Sequence, residues 1–424
     1  MCRDDAKINR LSPRPRRPAG VLAGGCAPGD WVLLPTHVLN VVRHPIGGIR
    51  NYLRYTYSQL DPSVYRATVL TVDRPEAKLL PGGMAPLQVE LVTVPPAKAF
   101  YGLWSKLREL RRTKPFDIVH SQGSTAALVT SLSGWRAAPW HVVTLHETFR
   151  ESQFEGAAGI AKRHAVGRLL GRADAIIVVT GDALENLKKF IPLSASAMKK
   201  VELVPHGIAV DMLVREAEAG GTAPLVESEL PEGTLVLGYV GRFMPEKGFD
   251  VLIDAVALLK ARLGAARPPF KIVAVNDGAF VEEYRRKVAA LELADWFTFT
   301  GFRSSVAGVL TQLDAVIMPS LREAAGLVAM EALVLGCVLI ASDCIGLREI
   351  TVDTPAISTK AGDPASLAAA IERFVASRET HQAEARAYMH TARRNFDVAV
   401  TARRLMEIFD RGLREKPRLA SSLG

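Results

Sequence analysis

With 424 residues, of which 48% are hydrophobic and 7% aromatic, the chain has the composition of an ordinary globular protein and the length of two or three domains. Charged residues break its apolar stretches well before the roughly 20 residues of a membrane span, and the stretch at 21–26 is too short for a signal peptide, so we expect neither an anchor nor export. The net charge is +9, and the four cysteines have neither disulfide nor zinc-site spacing, which fits a reducing cytoplasm.

The N-terminal half alternates between predicted strands and helices. Residues 1–29 are rich in Arg, Pro and Gly and are predicted to be a flexible tail. The run WVLLPTHVL, from Trp31, predicts a strand, and a glycine pair then opens a helix with apolar positions at Ile49, Leu53 and Tyr57. Further strands are predicted at YRATVLTV, LQVELVTV, DIVHSQ, HVVTLHE and AIIVVTG, with helices at 101–112 and 124–133.

A second set of predicted strands follows a segment rich in Gly, Ala, Pro and Glu. It comprises TLVLGYV, KIVAVN, WFTFTG, AVIMPS and CVLIAS, and such alternation with helices is typical of βαβ units and parallel sheets. We therefore predict an α/β protein with two doubly wound, Rossmann-like domains. The predicted parts are a tail at 1–29, an N-terminal domain at 30–210, a linker at 211–232, a C-terminal domain at 233–395, and a helix at 396–424 that packs back across the domains.

Two carboxylates follow the predicted strand AVIMPS, in the segment EAAGLVAME. Glu323 and Glu331 are eight residues apart, which on a helix corresponds to about 12 Å, so both could address one elongated ligand. Ionised carboxylates accept hydrogen bonds from vicinal hydroxyls of a ribose or a hexose, and free N–H groups near Gly326 and Leu327 suit a diphosphate. The alternative is that Glu323 is a helix-terminal charge and Glu331 a solvated residue. The two carboxylates alone do not distinguish this alternative from a ligand-binding site.

The strand that opens the second half ends in the sequence GYVGRFMPEKG. After Gly241 come Arg242 and Lys247, two cations five residues apart at the carboxyl end of a strand, where open α/β sheets bind ligands. They could neutralise charge on a departing nucleoside diphosphate, although Lys247 is also explained as a surface residue of a turn. Because the sequence contains no D-x-D motif, we expect no metal and no other cofactor, so that the cations and a helix N-terminus stabilise the phosphates.

Together these segments resemble glycosyltransferase family four, over roughly residues 31–410. The resemblance runs through GYVGRFMPEKGFDVLIDAV, NDGAF, FTGF and PSLREAAGLVAMEALVLGCVLIASDCIGLREI, and more loosely through HPIGGIRNYL, DIVHSQGS, TLHE and VPHGIAVD. It implies the GT-B architecture, in which two Rossmann-like domains face each other across a cleft. It also implies a retaining, metal-independent transfer of a hexose-type sugar from a nucleotide-sugar to a glycan or lipid-linked acceptor, by same-face attack.

The resemblance assigns roles to residues of this chain. Arg242 and Lys247 would bind the diphosphate, Glu323 with the backbone at 326–327 would hold the donor sugar, and Glu331 would bind the ribose.

In the first half, Gly47 and Gly48 would close on the phosphates. His146 would lie at the sugar and acceptor as a neutral imidazole that hydrogen-bonds a hydroxyl. The alternative for His146 is a strand-end histidine that is satisfied within the protein.

Three departures from the family pattern leave other functions open. Ala324-Ala325 replaces the usual Gly-Phe, Val338 stands where proline is common, and Ile345 replaces the first glycine of a pair. The methyl group of Ala324 could change the sugar pocket or the loop, since glycine tolerates positive φ at less cost. A noncatalytic nucleotide-sugar-binding protein is therefore the main alternative. An NAD-type enzyme is disfavoured because no G-x-G-x-x-G follows a first strand.

The positive charge is concentrated in the first half of the chain. Residues 1–215 contain 29 Lys and Arg against 17 Asp and Glu, whereas the remainder contains 24 against 27. Such a field favours acidic leaflets, phosphorylated lipid carriers, acidic glycans or nucleic acid, and it equally serves solubility. No nucleic-acid-binding module is recognisable, so we expect no nucleic-acid partner. We expect a cytoplasmic protein, peripheral at the inner face of the plasma membrane, in polysaccharide or glycolipid biosynthesis.

Overall fold

The computed structural model describes residues 34–134, 139–220, 223–226, 230–264 and 269–416. The predicted tail at 1–29, Cys2, Cys26 and the end of the predicted C-terminal segment lie outside these residues.

The first half of the chain alternates between strands and helices. Its elements are β1 (Thr36–Val42), α1 (Gly47–Tyr57), β2 (Tyr65–Val72), α2 (Leu80–Gly83), β3 (Val89–Val94), α3 (Ala99–Thr113), β4 (Ile118–Gln122), α4 (Ser124–Leu132), β5 (Trp140–Leu145), α5 (Gly156–Leu170), β6 (Ala175–Val178), α6 (Gly181–Phe190), α7 (Ala195–Met198), β7 (Val201–Leu203) and α8 (Val210–Ala219).

The second half repeats this alternation and ends in helices. Its elements are β8 (Leu235–Val240), α9 (Phe249–Leu263), β9 (Phe270–Val275), α10 (Val281–Ala290), β10 (Phe297–Gly301), α11 (Val306–Leu310), β11 (Ala315–Met318), α12 (Leu327–Leu335), β12 (Val338–Ser342), α13 (Arg348–Thr351), β13 (Ile357–Thr359), α14 (Pro364–Ala376), α15 (Arg378–Asn395) and α16 (Val398–Glu415).

The strands form two separate parallel sheets. The seven-stranded sheet has the order β3-β2-β1-β4-β5-β6-β7, and the six-stranded sheet has the order β10-β9-β8-β11-β12-β13. Successive residues of a strand enter different cores: Ile272 and Ala274 of β9 belong to one apolar cluster, whereas Val273 and Val275 belong to another. Both faces of the strand are therefore covered, as in doubly wound folds. The prediction of two doubly wound α/β domains is confirmed.

The structure differs from the sequence-based expectations in three places. The first strand spans 36–42, further along the chain than the predicted run, because buried apolar side chains continue to Val42. Part of the predicted linker forms helix α8, which packs on the second half through the buried Leu213. The edge strands β7 and β13, of three residues each, were not predicted. The domain boundaries themselves remain a prediction.

The chain crosses between the two halves at two places that lie side by side. The first crossing includes Ile208, and the second includes Phe396 and Val398. The backbone N–H of Ile208 donates to the carbonyl of Phe396, and the N–H of Val398 donates to the carbonyl of Ile208. Helix α15 then lies against α12 of the second half, whereas α16 packs onto the first half through Leu405 and Phe409. None of the helices in the described ranges combines the length and hydrophobicity that a membrane span requires.

Candidate functional site

The glycine pair at the start of α1 lies against the second half of the molecule. Gly47 adopts a φ of +57°, a region that favours glycine, and a Cβ placed on it would lie 3.6 Å from Cδ of Arg242. A Cβ on Gly48 would lie 3.9 Å from Cδ1 of Leu327, the first residue of α12. The fold therefore brings together four predicted residues from opposite halves of the chain.

Arg242 lies at this junction, among other basic side chains. Burial lowers the pKa of Arg242 and the charge of Arg74 adds to this lowering, whereas the carboxylates of Glu246 and Glu76 oppose it. Nearby, burial followed by the charges of Arg43, Arg242 and Arg74 lowers the pKa of His44 to about 4. The mouth of the cleft is thus positively charged and suits an anion. Gly241 lies directly before Arg242, and its N–H donates to the carbonyl of Val275 at 3.3 Å.

Lys247 and Glu323 form an ion pair at the carboxyl edge of the second sheet. Nζ of Lys247 lies 2.7 Å from both carboxylate oxygens of Glu323, and the hydroxyl of Ser320 donates to Oε1 at 3.0 Å. Lys247 ends a short 3-10 turn after β8, and Glu323 lies in the loop after β11. An anionic ligand could therefore compete with Glu323 for the lysine.

The helical spacing assumed between the two carboxylates applies to only part of the segment. Helix α12 begins at Leu327, preceded by Gly326 with a φ of +57°, so Glu323 lies before the helix and only Glu331 lies on it. The positive φ of Gly326 turns the chain between the loop and the helix, and this turn separates the surroundings of the two carboxylates. The expected helix N-terminus at 326–327 is present, next to Gly48.

Glu331 is fully buried between the two halves of the molecule, so it is not a solvated surface residue. Its Oε1 accepts hydrogen bonds from the hydroxyl of Tyr55 at 2.8 Å and from the amide of Asn51 at 3.2 Å, both on α1. Its Oε2 is buried and has no hydrogen-bond partner among the described residues. Burial raises the pKa of Glu331 to about 7, although the hydrogen bonds and the nearby Arg54 and Arg50 lower it. The sequence analysis assigned no role to Asn51, which lies in the segment HPIGGIRNYL, or to Tyr55, which follows that segment.

His146 lies at the end of β5 with one ring nitrogen bonded and the other free. Its Nε2 lies 2.8 Å from Oε1 of Gln122, and the Gln122 amide donates to Asn40 at 2.9 Å. With the amide so oriented, Nε2 carries the proton and Nδ1 is an acceptor, which has no partner in the described part of the chain. Burial, followed by His206 and His120, lowers the pKa of His146 well below its usual range. A neutral imidazole is therefore available to accept a hydrogen bond from a hydroxyl group.

A second group of contacts joins the two halves beyond the glycine pair. The carboxylate of Asp182, at the start of α6, accepts from the backbone N–H of Gly346 at 2.9 Å and pairs with Arg348. In return, Glu349 accepts from the N–H groups of Gly181 and Asp182. Apart from Gly346, the second glycine of the pair altered at Ile345, these residues were not singled out from the sequence, because the partner of each lies in the other half.

The Ala324-Ala325 departure fits the local backbone without strain. Ala324 does not adopt a positive φ, its carbonyl accepts from the hydroxyl of Thr180 at 3.0 Å, and Ala325 is buried. The cost anticipated for replacing glycine at Ala324 is therefore absent. Across the described residues, no group of three or more His, Cys, Asp or Glu side chains is arranged to hold a metal ion.

Two family models match the chain, one for each half. The model described as Glycosyltransferase Family 4 matches residues 46–212, and the model described as Glycosyl transferases group 1 matches residues 225–395.

Relatives with assigned names are glycosyltransferases. A 2-deoxystreptamine N-acetyl-D-glucosaminyltransferase of Streptomyces fradiae is 32% identical over 64% of this chain and 66% of that protein. A D-inositol 3-phosphate glycosyltransferase of Stackebrandtia nassauensis is 29% identical over 56% of this chain and 55% of that protein. The matched region thus spans less than two thirds of the length of these relatives.

Solved structures with a similar fold cover most of the chain. HepE of Anabaena, determined with UDP and glucose, has a TM-score of 0.70 at 19% identity and covers 89% of this chain and 100% of its own. Sucrose-phosphate synthase of Thermosynechococcus elongatus has a TM-score of 0.71 at 18% identity and covers 90% and 100%. At such identities the likeness concerns the fold alone.

Proposed function

The chain belongs to glycosyltransferase family four, with the GT-B fold, and on this basis we propose that it transfers a hexose-type sugar from a nucleotide-sugar to a glycan or lipid-linked acceptor. The proposed reaction retains the anomeric configuration and requires no bound metal. The observation that carries the proposal is the meeting of Gly47 and Gly48 with Arg242 and the N-terminus of α12 across the cleft. This arrangement suits a diphosphate.

The proposed mechanism uses fixed positive charge to stabilise the leaving group. Arg242, Lys247 and the free N–H groups at the start of α12 neutralise the negative charge that develops on the diphosphate as the bond between the anomeric carbon and the phosphate oxygen breaks. The acceptor hydroxyl forms the new bond on the same face, and its proton passes to the departing phosphate oxygen. Once the phosphate binds Lys247, Glu323 becomes available to accept hydrogen bonds from the donor sugar.

The acceptor is proposed to bind in the first half, near His146. The free Nδ1 of this neutral imidazole can accept a hydrogen bond from a sugar or acceptor hydroxyl. The relatives named for 2-deoxystreptamine and inositol phosphate favour a polyhydroxylated ring as the acceptor group. The basic first half favours an acceptor with phosphate, such as a lipid-linked glycan at the inner leaflet, and hence a role in polysaccharide or glycolipid biosynthesis.

The experiment that tests the function is a thermal-shift and turnover screen with UDP-, GDP-, ADP- and TDP-sugars without added metal. We expect one nucleotide class to stabilise the chain and to be hydrolysed or transferred. Lys247→Ala should lower turnover by roughly 100-fold, the scale of losing one charge-stabilising group. Glu331→Ala should weaken donor binding roughly tenfold, the scale of losing one hydrogen bond to a charged group. Lys188→Ala, which removes an exposed lysine paired with Glu185, is the matched control and should leave turnover unchanged.

The outcomes of this screen separate the enzyme from its main alternative. Stabilisation by a donor without turnover, in the presence of cyclitol, glycan and lipid-linked acceptors, would favour a noncatalytic nucleotide-sugar-binding protein. If no donor stabilises the chain, the proposed site is wrong.

A further inference from the structure

The two oxygens of the Glu331 carboxylate have different surroundings. Oε1 accepts two hydrogen bonds, from Tyr55 and Asn51, which matches its two lone pairs. Oε2 is buried and accepts none from the described residues. A buried acceptor without a donor costs free energy, more so when it is charged, so this oxygen is suited to a donor that the protein itself does not supply.

Both donors to Oε1 come from the opposite half of the molecule. Tyr55 and Asn51 lie one turn apart on α1, whereas Glu331 lies on α12. Tyr55 is almost fully buried, and its side chain belongs to the apolar cluster of the second half that includes Met330 and Leu333. These hydrogen bonds therefore exist only while the two halves are in contact.

We propose that Tyr55 and Asn51 are positioning residues of the nucleotide site. By occupying Oε1 of Glu331, they leave Oε2 as the acceptor for a ribose hydroxyl, and they couple recognition of the ribose to closure of the cleft. This inference rests on the proposed function, in which Glu331 binds the ribose.

The burial of Glu331 sets the order of events. Because the carboxylate is closed to solvent in this conformation, the ribose reaches it while the two halves are parted. Closure then brings the hydroxyl of Tyr55 and the amide of Asn51 onto Oε1. Burial and the adjacent Glu331 raise the pKa of Tyr55 well above its usual value, so its hydroxyl stays protonated and donates. Three donors, two from α1 and one from the ribose, then surround the carboxylate.

A thermodynamic cycle that combines a substitution in the protein with removal of the ribose hydroxyls tests whether Tyr55 and the ribose are coupled. The full chain and its Tyr55→Phe variant are titrated with whichever of UDP, GDP or ADP stabilises the wild type, and with the 2′,3′-dideoxy form of the same nucleotide. For the wild type, we expect loss of the ribose hydroxyls to weaken binding roughly tenfold, as for one hydrogen bond to a charged group. Tyr55→Phe should weaken the ribonucleotide by a similar factor and leave the dideoxynucleotide nearly unchanged.

Tyr57→Phe is the matched control for this cycle. It removes a buried tyrosine hydroxyl from the same helix, one that lies 2.8 Å from Nδ1 of His120 in the first half and does not contact Glu331. Tyr57→Phe should change the affinity for the ribonucleotide and for the dideoxynucleotide by the same factor. Asn51→Ala should repeat the selective effect of Tyr55→Phe if the inference holds.

Two results would overturn the inference while leaving the function intact. Equal weakening of both nucleotides by Tyr55→Phe would mean that Tyr55 only supports the structure, and tighter ribonucleotide binding would mean that Tyr55 competes with the ribose for Glu331. If the wild type binds none of UDP, GDP, ADP and TDP, it is the proposed function that fails, whereas binding of TDP alone, which lacks the 2′-hydroxyl, would count against ribose recognition by Glu331.

Discussion

The ionisation of Glu331 makes the stability of the ligand-free chain depend on pH. Burial raises its pKa from 4.5 to about 7, against the lowering effects of Tyr55, Arg54, Asn51 and Arg50. In the unfolded chain the carboxyl ionises near 4.5, so between these pH values the folded chain holds a proton that the unfolded chain has lost. The stability that this group contributes is therefore greatest at low pH and falls as the pH rises from 4.5 to 7.

Replacing Glu331 with glutamine should remove this dependence. We expect Glu331→Gln to stabilise the ligand-free chain at pH 8 by on the order of 2 kcal/mol, because the buried charge is gone, and to have no stabilising effect at pH 5, where the glutamic acid is protonated. Urea unfolding of both proteins at the two pH values measures the difference. Equal stabilisation at pH 5 and pH 8 would mean that the carboxyl is ionised at both, and no stabilisation at either pH would mean that it is protonated at both.

At the scale of the element, helix α3 presents an aromatic and basic surface to solvent. Tyr101 is 62% exposed and Phe100 43%, and the guanidinium of Arg108 lies 4.8 Å from the ring centre of Trp104. Aromatic and basic side chains together suit the interface of an anionic bilayer. We therefore predict that the chain binds vesicles containing anionic lipid and is released by salt, and that combined Phe100→Ser and Tyr101→Ser changes weaken binding severalfold in sedimentation assays.

The control for the vesicle assay replaces exposed apolar residues elsewhere. Leu258 and Leu263 on α9 are each 39% exposed, and changing both to serine should leave vesicle binding unaltered. Equal binding to neutral vesicles, or no binding to either type, would contradict a role for α3 at an anionic membrane.

Local sequence pattern predicted elements better than it predicted contacts between the two halves. The run YRATVLTV coincides with β2, because a strand covered on both faces is buried along almost its whole length and is rich in Val, Leu and Thr. On α1, the predicted apolar face of Ile49, Leu53 and Tyr57 omitted Tyr55, which is buried against the second half rather than its own. Helical periodicity reveals one buried face, and α1 has two.

In the candidate site, too, residues close together in sequence were predictable and contacts between the two halves were not. Arg242, Lys247 and Glu323 could be singled out because each lies in a short motif at the carboxyl end of a strand, where the chain itself brings the residues together. The partners of Glu331 could not, since Asn51 is separated from it by 280 positions and meets it only when the halves pack.

For the molecule as a whole, the two adjacent chain crossings control how the halves can move. Gly207 lies in the first crossing, and a Cβ on it would lie 2.5 Å from Cα of Val398 and 2.8 Å from the carbonyl oxygen of Asp397 in the second. The hydroxyl of Thr401 also donates to the carbonyl of Pro205 at 2.7 Å. Because the atoms that meet Gly207 are backbone atoms, no change of rotamer can relieve the overlap.

Gly207→Ala should therefore force the crossings apart. We expect a loss of about 2 kcal/mol or more in the free energy of unfolding, the scale of an overpacked buried site, measured by urea unfolding. Gly82→Ala is the control, because a Cβ there meets nothing within 4 Å. If Gly207→Ala is as stable as this control, the crossings tolerate separation. Since closure brings Tyr55 to Glu331 through this same connection, a displaced crossing should also weaken nucleotide binding in the molecules that remain folded.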